Sequence, residues 1–178
     1  MKKKICVILV DRANYGRLKP VMQILKSDER FNLQLICTGT TLLEKYGKVV
    51  NLIEKDGFEI SSKVYMEYSG SVSETMSMGI GTGIILLTNE INRLNPDVVL
   101  IIGDRYEALS AAIASAYNNK IIAHVQGGEV SGSIDESARH AITKFSHIHF
   151  PATELARKRI INMGEDPSMV ICSGCPSK

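Results

Sequence analysis

The sequence is poor in the features that mark several special classes of protein. No apolar run approaches the ~18–20 residues that a membrane-spanning helix needs. Its glycines follow no triplet period and its apolar positions sustain no heptad, which excludes collagen-like and coiled-coil architectures. Cysteine is scarce, at four residues, so a disulfide scaffold is excluded. Charge of one sign is also lacking: 21 basic and 19 acidic residues leave a net charge of +2, and the basic ones are scattered, which gives no footprint for nucleic acid. The opening Met1-Lys2-Lys3-Lys4 before Ile5-Cys6-Val7-Ile8-Leu9-Val10 imitates a secretory signal, but Asp11-Arg12 ends the apolar stretch without a small-residue cleavage site. A buried first strand is the better reading, in a soluble, cytoplasmic protein.

What is present is enough to build a core. With 44% apolar residues and near-neutral charge in 178 residues, the chain is ordered and of single-domain size. Short β-branched runs alternate with longer helical patterns. The runs are 4–10, 33–37, 59–66, 97–102, 120–124, 147–150 and 169–172; the helical stretches are 18–26, 41–55, 72–93, 105–117, 137–145 and 154–163. Ile84, Leu87, Ile91 and Leu94 recur at helical steps on one buried face. Val98-Val99-Leu100-Ile101-Ile102 is apolar throughout, as expected of a strand covered on both sides. The pattern predicts an α/β fold, a doubly wound parallel sheet. Ligands of such sheets bind beyond the carboxyl ends of the strands, where helix N-termini point.

Several strand ends and loops carry residues of interest. The first strand runs into Asp11-Arg12-Ala13-Asn14-Tyr15-Gly16, where Arg12 offers a planar fork to a phosphate, or is merely solvated with Asn14 capping the helix. The fourth ends in Gly103-Asp104-Arg105, where Asp104 is either a helix cap or a functional carboxylate beside a cation. The fifth ends in His124-Val125-Gln126-Gly127-Gly128-Glu129, followed by Asp135, Arg139 and His140; its paired glycines allow close backbone approach to a ligand, and Asp135 also reads as a cap. His147 and His149 read as ordinary polar packing, and Cys6 and Cys37 as small hydrophobes. Cys172-Ser173-Gly174-Cys175 has redox-motif spacing but follows a strand near the end of the sequence, away from the helix start such a motif needs. Gly79-Ile80-Gly81-Thr82-Gly83 lacks the strand–loop–helix context of a phosphate cradle and marks a close packing point or a fresh helix start. No Rossmann glycine triplet, Walker lysine or metal-ligand cluster is evident, so no cofactor is expected.

Taken together, Asp11-Arg12-Ala13-Asn14-Tyr15, Gly103-Asp104-Arg105, His124–Gly132 and Asp135 through Arg139-His140-Ala141-Ile142-Thr143-Lys144 resemble the hydrolysing UDP-N-acetylglucosamine 2-epimerases. The resemblance extends to the closing Gly174-Cys175-Pro176-Ser177. It implies a glycosyltransferase B arrangement of two Rossmann-like domains, with residues 1–178 the N-terminal one and the C-terminal nucleotide-binding domain absent from this sequence. It further implies a homo-oligomer that binds a UDP-sugar in the cleft.

The activity implied is conversion of UDP-N-acetylglucosamine to N-acetylmannosamine and UDP through a 2-acetamidoglucal, serving sialic-acid-type sugar synthesis. By the same resemblance Asp104 and Asp135 are catalytic carboxylates. Gln126 stands where many members carry a catalytic glutamate, and an amide accepts no proton at neutral pH; orienting sugar or water is the role left to it. Arg12, Gly16, Arg105, His124, Gly127, Glu129, Arg139 and His140 are implied to bind substrate. Two alternatives remain: an epimerase for a UDP-diacetamido sugar of the bacillosamine type, and a non-catalytic nucleotide-sugar-binding module. A response-regulator receiver shares the fold class but needs a lysine after the fifth strand, where this sequence has Gln126-Gly127-Gly128.

Overall fold

The computed structural model describes residues 2–69 and 73–176. The expected helix start at Val72, and Ser177 of the closing motif, lie outside the described residues. Among the described residues, six parallel strands form one sheet: β1 (Lys3–Leu9), β2 (Phe31–Thr38), β3 (Ser62–Val64), β4 (Val98–Ile102), β5 (Ile121–Val125) and β6 (Ile148–Phe150). Their spatial order is β3-β2-β1-β4-β5-β6. The chain thus winds outward from β1, returns, and winds outward again from β4. The β1–β4 neighbours are the switch point at which an open α/β sheet parts its loops and leaves a crevice.

The helices are α1 (Arg12–Ser27), α2 (Val49–Lys55), α3 (Ser73–Leu94), α4 (Tyr106–Tyr117), α5 (Ile134–Phe145) and α6 (Glu154–Asn162). Alternation along the strands divides the core into two layers, as the two-residue period of a strand requires. Val7, Leu9, Leu35 and Leu100 pack under Leu18 and Met22 of α1 and Val49 and Ile53 of α2. Cys6, Ile8, Ile36, Val99 and Ile101 pack on the other face, under Leu87 and Ile91 of α3 and Ala108, Ala111 and Ala112 of α4. Cys6 and Cys37 are buried, and burial pushes both thiols up to about 12. No described helix is long and apolar enough to cross a membrane.

The glycines of α3 belong to one continuous helix, and two of them serve packing. A Cβ on Gly83 would lie 3.0 Å from the Ser110 Cβ, and one on Gly79 would lie 3.1 Å from the Tyr106 ring. Together these two glycines let Tyr106 and Ser110 of α4, and the Met66 side chain, approach α3 closely.

Several local expectations are corrected. Helix α1 begins at Arg12, not Leu18, because Asp11 caps it by accepting from the Asn14 N–H at 2.7 Å; Asn14 is not the cap. The expected helix 41–55 is interrupted by two short 3-10 turns and by left-handed backbone at Gly47 (φ +80°) and Lys48 (φ +46°), and α2 is only its last part. The expected strand 169–172 shrinks to a single bridge between His149 and Val170, because Asp166 caps a 3-10 turn over Pro167–Met169. Neither Asp104 nor Asp135 is a cap: α4 and α5 start from Arg105 and Ser133, without a side-chain capping bond.

Candidate functional site

Because all six strands run the same way, the residues after β1, β4, β5 and β6 share one edge of the sheet. Two further ladder bonds hold this edge together: Gly103 N–H donates to the Val125 carbonyl at 3.1 Å, and Gln126 N–H to the Phe150 carbonyl at 2.9 Å. At the switch point, Asp11, Arg12 and Ala13 from the start of α1 and Arg105 from the start of α4 line one open cavity of about 370 Å³, together with Thr40, Tyr46 and Val49. The two arginines singled out in the sequence thus face one space. Arg12 is exposed, whereas Arg105 is held from behind.

What holds Arg105 is Glu107, a residue that the sequence pattern does not single out. Its carboxylate is fully buried and accepts from Arg105 Nε at 3.1 and 3.0 Å and from a terminal guanidinium nitrogen at 2.8 Å. Burial pushes the Glu107 carboxyl up, against the opposing pull of the guanidinium. An acidic residue in a first turn ordinarily reads as a partner of the helix dipole, so its spacing from Arg105 is the only signal of this role in the sequence.

Asp104 and Arg139 form a largely buried ion pair, and another Arg139 nitrogen donates to the Glu129 carbonyl at 2.7 Å. One guanidinium therefore ties the end of β4 to the loop after β5. Its own side chain is only 8% exposed. The Glu129 side chain accepts from Thr153 at 3.3 Å, and so points toward the start of α6. Glu136 steadies the remainder of the loop by accepting from the Ser131 and Gly132 N–H groups at 2.7 Å each, and these backbone bonds hold its carboxyl below the usual range.

His124 has no exposed surface. Its Nε2 lies 2.8 Å from the Gly103 carbonyl, which requires a proton on that nitrogen; its Nδ1 lies 3.2 Å from the Thr143 hydroxyl. Burial lowers its pKa to about 4, so the ring is neutral at physiological pH. The residue joins β5, the end of β4 and α5. Gly127 is required beside it, since a Cβ there would meet His124 Nδ1 at 2.8 Å and Thr143 Oγ1 at 2.9 Å.

Gln126 occupies left-handed backbone (φ +62°), which costs a non-glycine residue about 1–2 kcal/mol. Its Oε1 accepts from Arg17 at 3.0 Å and its Nε2 donates to Cys175 Sγ at 3.2 Å. Nothing in the sequence marks Arg17 and Cys175 as partners of Gln126, and only the tertiary fold brings α1 and the last described residues to this loop. The arginine selects the orientation of the amide, because it can face only the oxygen.

The other sequence-selected residues stand apart from these contacts. Asp135 is exposed in the first turn of α5, on the wall of a cavity of about 530 Å³ that also includes Tyr106 and the apolar Met76, Ile80 and Leu109. His140 Nε2 lies 3.9 Å from Glu136, and its buried Nδ1 has no hydrogen-bond partner. Gly16 is exposed one turn after Arg12, with open space where a Cβ would stand. His149 is buried beside Glu165 at 3.4 Å, and His147 accepts the Ile122 N–H at 3.2 Å. No group of three or more His, Cys, Asp or Glu among the described residues is arranged to hold a metal.

Comparison with known proteins agrees with this fold. A family model described as UDP-N-acetylglucosamine 2-epimerase matches residues 23–177. A Legionella pneumophila protein named UDP-N,N'-diacetylbacillosamine 2-epimerase (hydrolyzing) is 39% identical over 99% of this chain and 47% of its own length. A Neisseria meningitidis protein named UDP-N-acetylglucosamine 2-epimerase is 33% identical over 98% of this chain and 45% of its own. The chain thus spans about half the length of these relatives. Among solved structures, the Neisseria meningitidis UDP-GlcNAc 2-epimerase bound to UDP-GlcNAc shares the fold with a TM-score of 0.86 and 17% identity, over 98% of this chain and 47% of that one.

Proposed function

The chain belongs to the UDP-N-acetylglucosamine 2-epimerase family, and from that premise we propose that it supplies the N-terminal, Rossmann-like half of a hydrolysing nucleotide-sugar 2-epimerase of glycosyltransferase B type. The observation that carries this reading is that Arg12 and Arg105 line one cavity at the switch point, with Asp104 and Gln126 at the same edge of the sheet. A second, C-terminal domain supplies the rest of the nucleotide site in this reading. The complete enzyme is a cytoplasmic homo-oligomer, as the family resemblance suggests.

The reaction proceeds in two stages. A carboxylate takes the proton from C2 of the sugar, the C1–oxygen bond to the diphosphate breaks, and a C1–C2 double bond forms. Water then adds hydroxyl to C1 and a proton to the opposite face of C2, giving the manno configuration. Of Asp104 and Asp135, one takes the C2 proton in the first stage and releases it to solvent. The other, protonated beforehand, delivers its proton to the opposite face of C2 in the second stage and regains one from the attacking water. Arg12 and Arg105, beside the N-termini of α1 and α4, receive the charge that develops on the leaving diphosphate. Gln126 orients the sugar or the water. The buried His124 and Arg139 act through the groups they hold, Gly103 and Thr143 in one case and Asp104 and Glu129 in the other. Gly127 leaves room for His124, and Gly16, Glu129 and His140 are assigned to sugar binding by the family resemblance.

A second reading, in which the sugar is a UDP-linked diacetamido sugar, is favoured by the 39% identity to the Legionella pneumophila relative of that name, against 33% for the N-acetylglucosamine one. Proton and phosphorus NMR in deuterated water tests both. Release of UDP with C2-deuterated N-acetylmannosamine supports the first; the corresponding product from only the diacetamido sugar supports the second. Binding of both sugars without UDP release or deuterium uptake contradicts catalysis by this chain and favours a binding module.

A further inference from the structure

We propose that Glu107 is a positioning residue for nucleotide-sugar binding: its buried carboxylate fixes the Arg105 guanidinium so that a chosen edge of it faces the cavity at the switch point. This rests on the proposed function for the identity of the ligand, an anionic nucleoside diphosphate. The geometry stands by itself. Glu107 takes the Nε and one terminal nitrogen of Arg105 in a fork that uses both carboxylate oxygens. That leaves the other terminal nitrogen for the cavity that Arg105 lines with Arg12. The Arg105 side chain is 37% exposed and Glu107 fully buried, so the carboxylate grips the guanidinium from the protein side only.

The surroundings are built to keep the carboxylate in place. Gly39 has φ +58°, and a Cβ there would lie 2.7 Å from the Val10 carbonyl and 2.8 Å from Glu107 Oε1. A glycine is therefore needed for the turn after β2 to close over the acid. Next to it, the Tyr106 hydroxyl donates to Glu67 at 2.5 Å, which fixes the turn of α4 from which Glu107 projects. A guanidinium held by two bonds on one edge loses little further freedom on meeting a phosphate, and such preorganisation strengthens binding and transition-state stabilisation alike.

The test compares Glu107→Gln and Glu107→Asp with the unaltered chain. The first removes the charge at constant size, and the second keeps the charge while shortening its reach. Two quantities are read: affinity for UDP set against affinity for uridine, and the Arg105 Nε–H proton–nitrogen resonance with its exchange with water. We expect Glu107→Gln to weaken UDP by about tenfold, the weight of a charge-assisted bond, with uridine unaffected. Its Nε–H should exchange faster than in the unaltered chain. Glu107→Asp should fall between the two. UDP affinity within twofold of the unaltered chain, or an Arg105 resonance that none of the changes disturbs, overturns the proposal. If the unaltered chain takes up no UDP, the functional reading fails, and the resonance alone still decides whether Glu107 fixes the guanidinium. If Glu107→Gln does not fold, the Asp variant carries the same comparison.

Discussion

Asp104 and Arg139 meet across 35 positions of sequence, pairing the end of β4 with the second turn of α5 in a bond that water scarcely reaches. Because Arg139 also holds the Glu129 carbonyl, one side chain keeps two of the loops at the sheet edge in register. Removing it leaves a carboxylate without its cation and a carbonyl without its donor. Arg139→Leu should lower stability by about 3 kcal/mol, the loss typical of breaking a buried pair from one side. Chemical denaturation monitored by circular dichroism checks this; a loss below ~1 kcal/mol would place the pair among solvent-screened contacts.

The buried, neutral His124 makes the fold sensitive to acid. Its folded pKa of about 4 lies below the ordinary histidine value of 6.5. Between these values the unfolded chain binds a proton that the folded one refuses, so stability falls as pH drops from 6.5 toward 4. The full difference amounts to ~3 kcal/mol. In His124→Asn this part of the pH dependence should disappear, leaving the share of the carboxylates and of His149, whose pKa burial also lowers. Denaturation midpoints measured at half-unit intervals from pH 7 to pH 4 would reveal it. Equal slopes in the two proteins would contradict the assignment.

The glycines of α3 are not equivalent. Gly81 is exposed, and no atom lies within 4 Å of the place a Cβ would take, so Gly81→Ala should stabilise the helix by about 0.8–1 kcal/mol. Gly83→Ala would press a Cβ to within 3.0 Å of the Ser110 Cβ, and should destabilise by about 1–3 kcal/mol through overpacking. Thermal melts of the two variants should move in opposite directions.

Much of the fold is legible in the sequence because its strands are apolar on both faces. Val98–Ile102 is apolar throughout, as a central strand of a sheet covered on both sides requires. What is less legible depends on local choices that apolar periodicity does not reveal. Asp11 and Asn14 are both good caps, and only the structure shows that Asp11 takes the Asn14 N–H. In 41–55 the apolar spacing suggests one helix, while left-handed Gly47 and Lys48 divide it. In the site, the strand-end rule puts Asp104, Arg105 and Gln126 at one edge, where the structure also has them. Arg17 and Cys175, the partners of Gln126, escape the same rule, since a side chain reaching across from another element leaves no mark in its own segment. Glu107, two residues past Arg105, escapes it because an acid in a first turn reads as a partner of the helix dipole.

Gln126→Glu examines the glutamine that stands at the family's usual glutamate position. Arg17 already faces Oε1 at 3.0 Å, so the pocket accepts a carboxylate with its cation in place. The variant should keep its thermal midpoint within a few degrees, and a gain in deuterium uptake at C2 would assign Gln126 to a lost proton-transfer role. A large drop in stability would contradict this picture of the pocket.

The central claim is that the edge of the sheet around the β1–β4 switch point receives a nucleotide sugar. Titrating the nitrogen-15-labelled chain with UDP-N-acetylglucosamine, and recording which backbone amides move, tests it most directly. The account predicts saturable shifts concentrated at Arg12, Ala13, Asp104, Arg105 and Gln126 through Glu129. Shifts at the opposite edge of the sheet, or none at millimolar ligand, would contradict it.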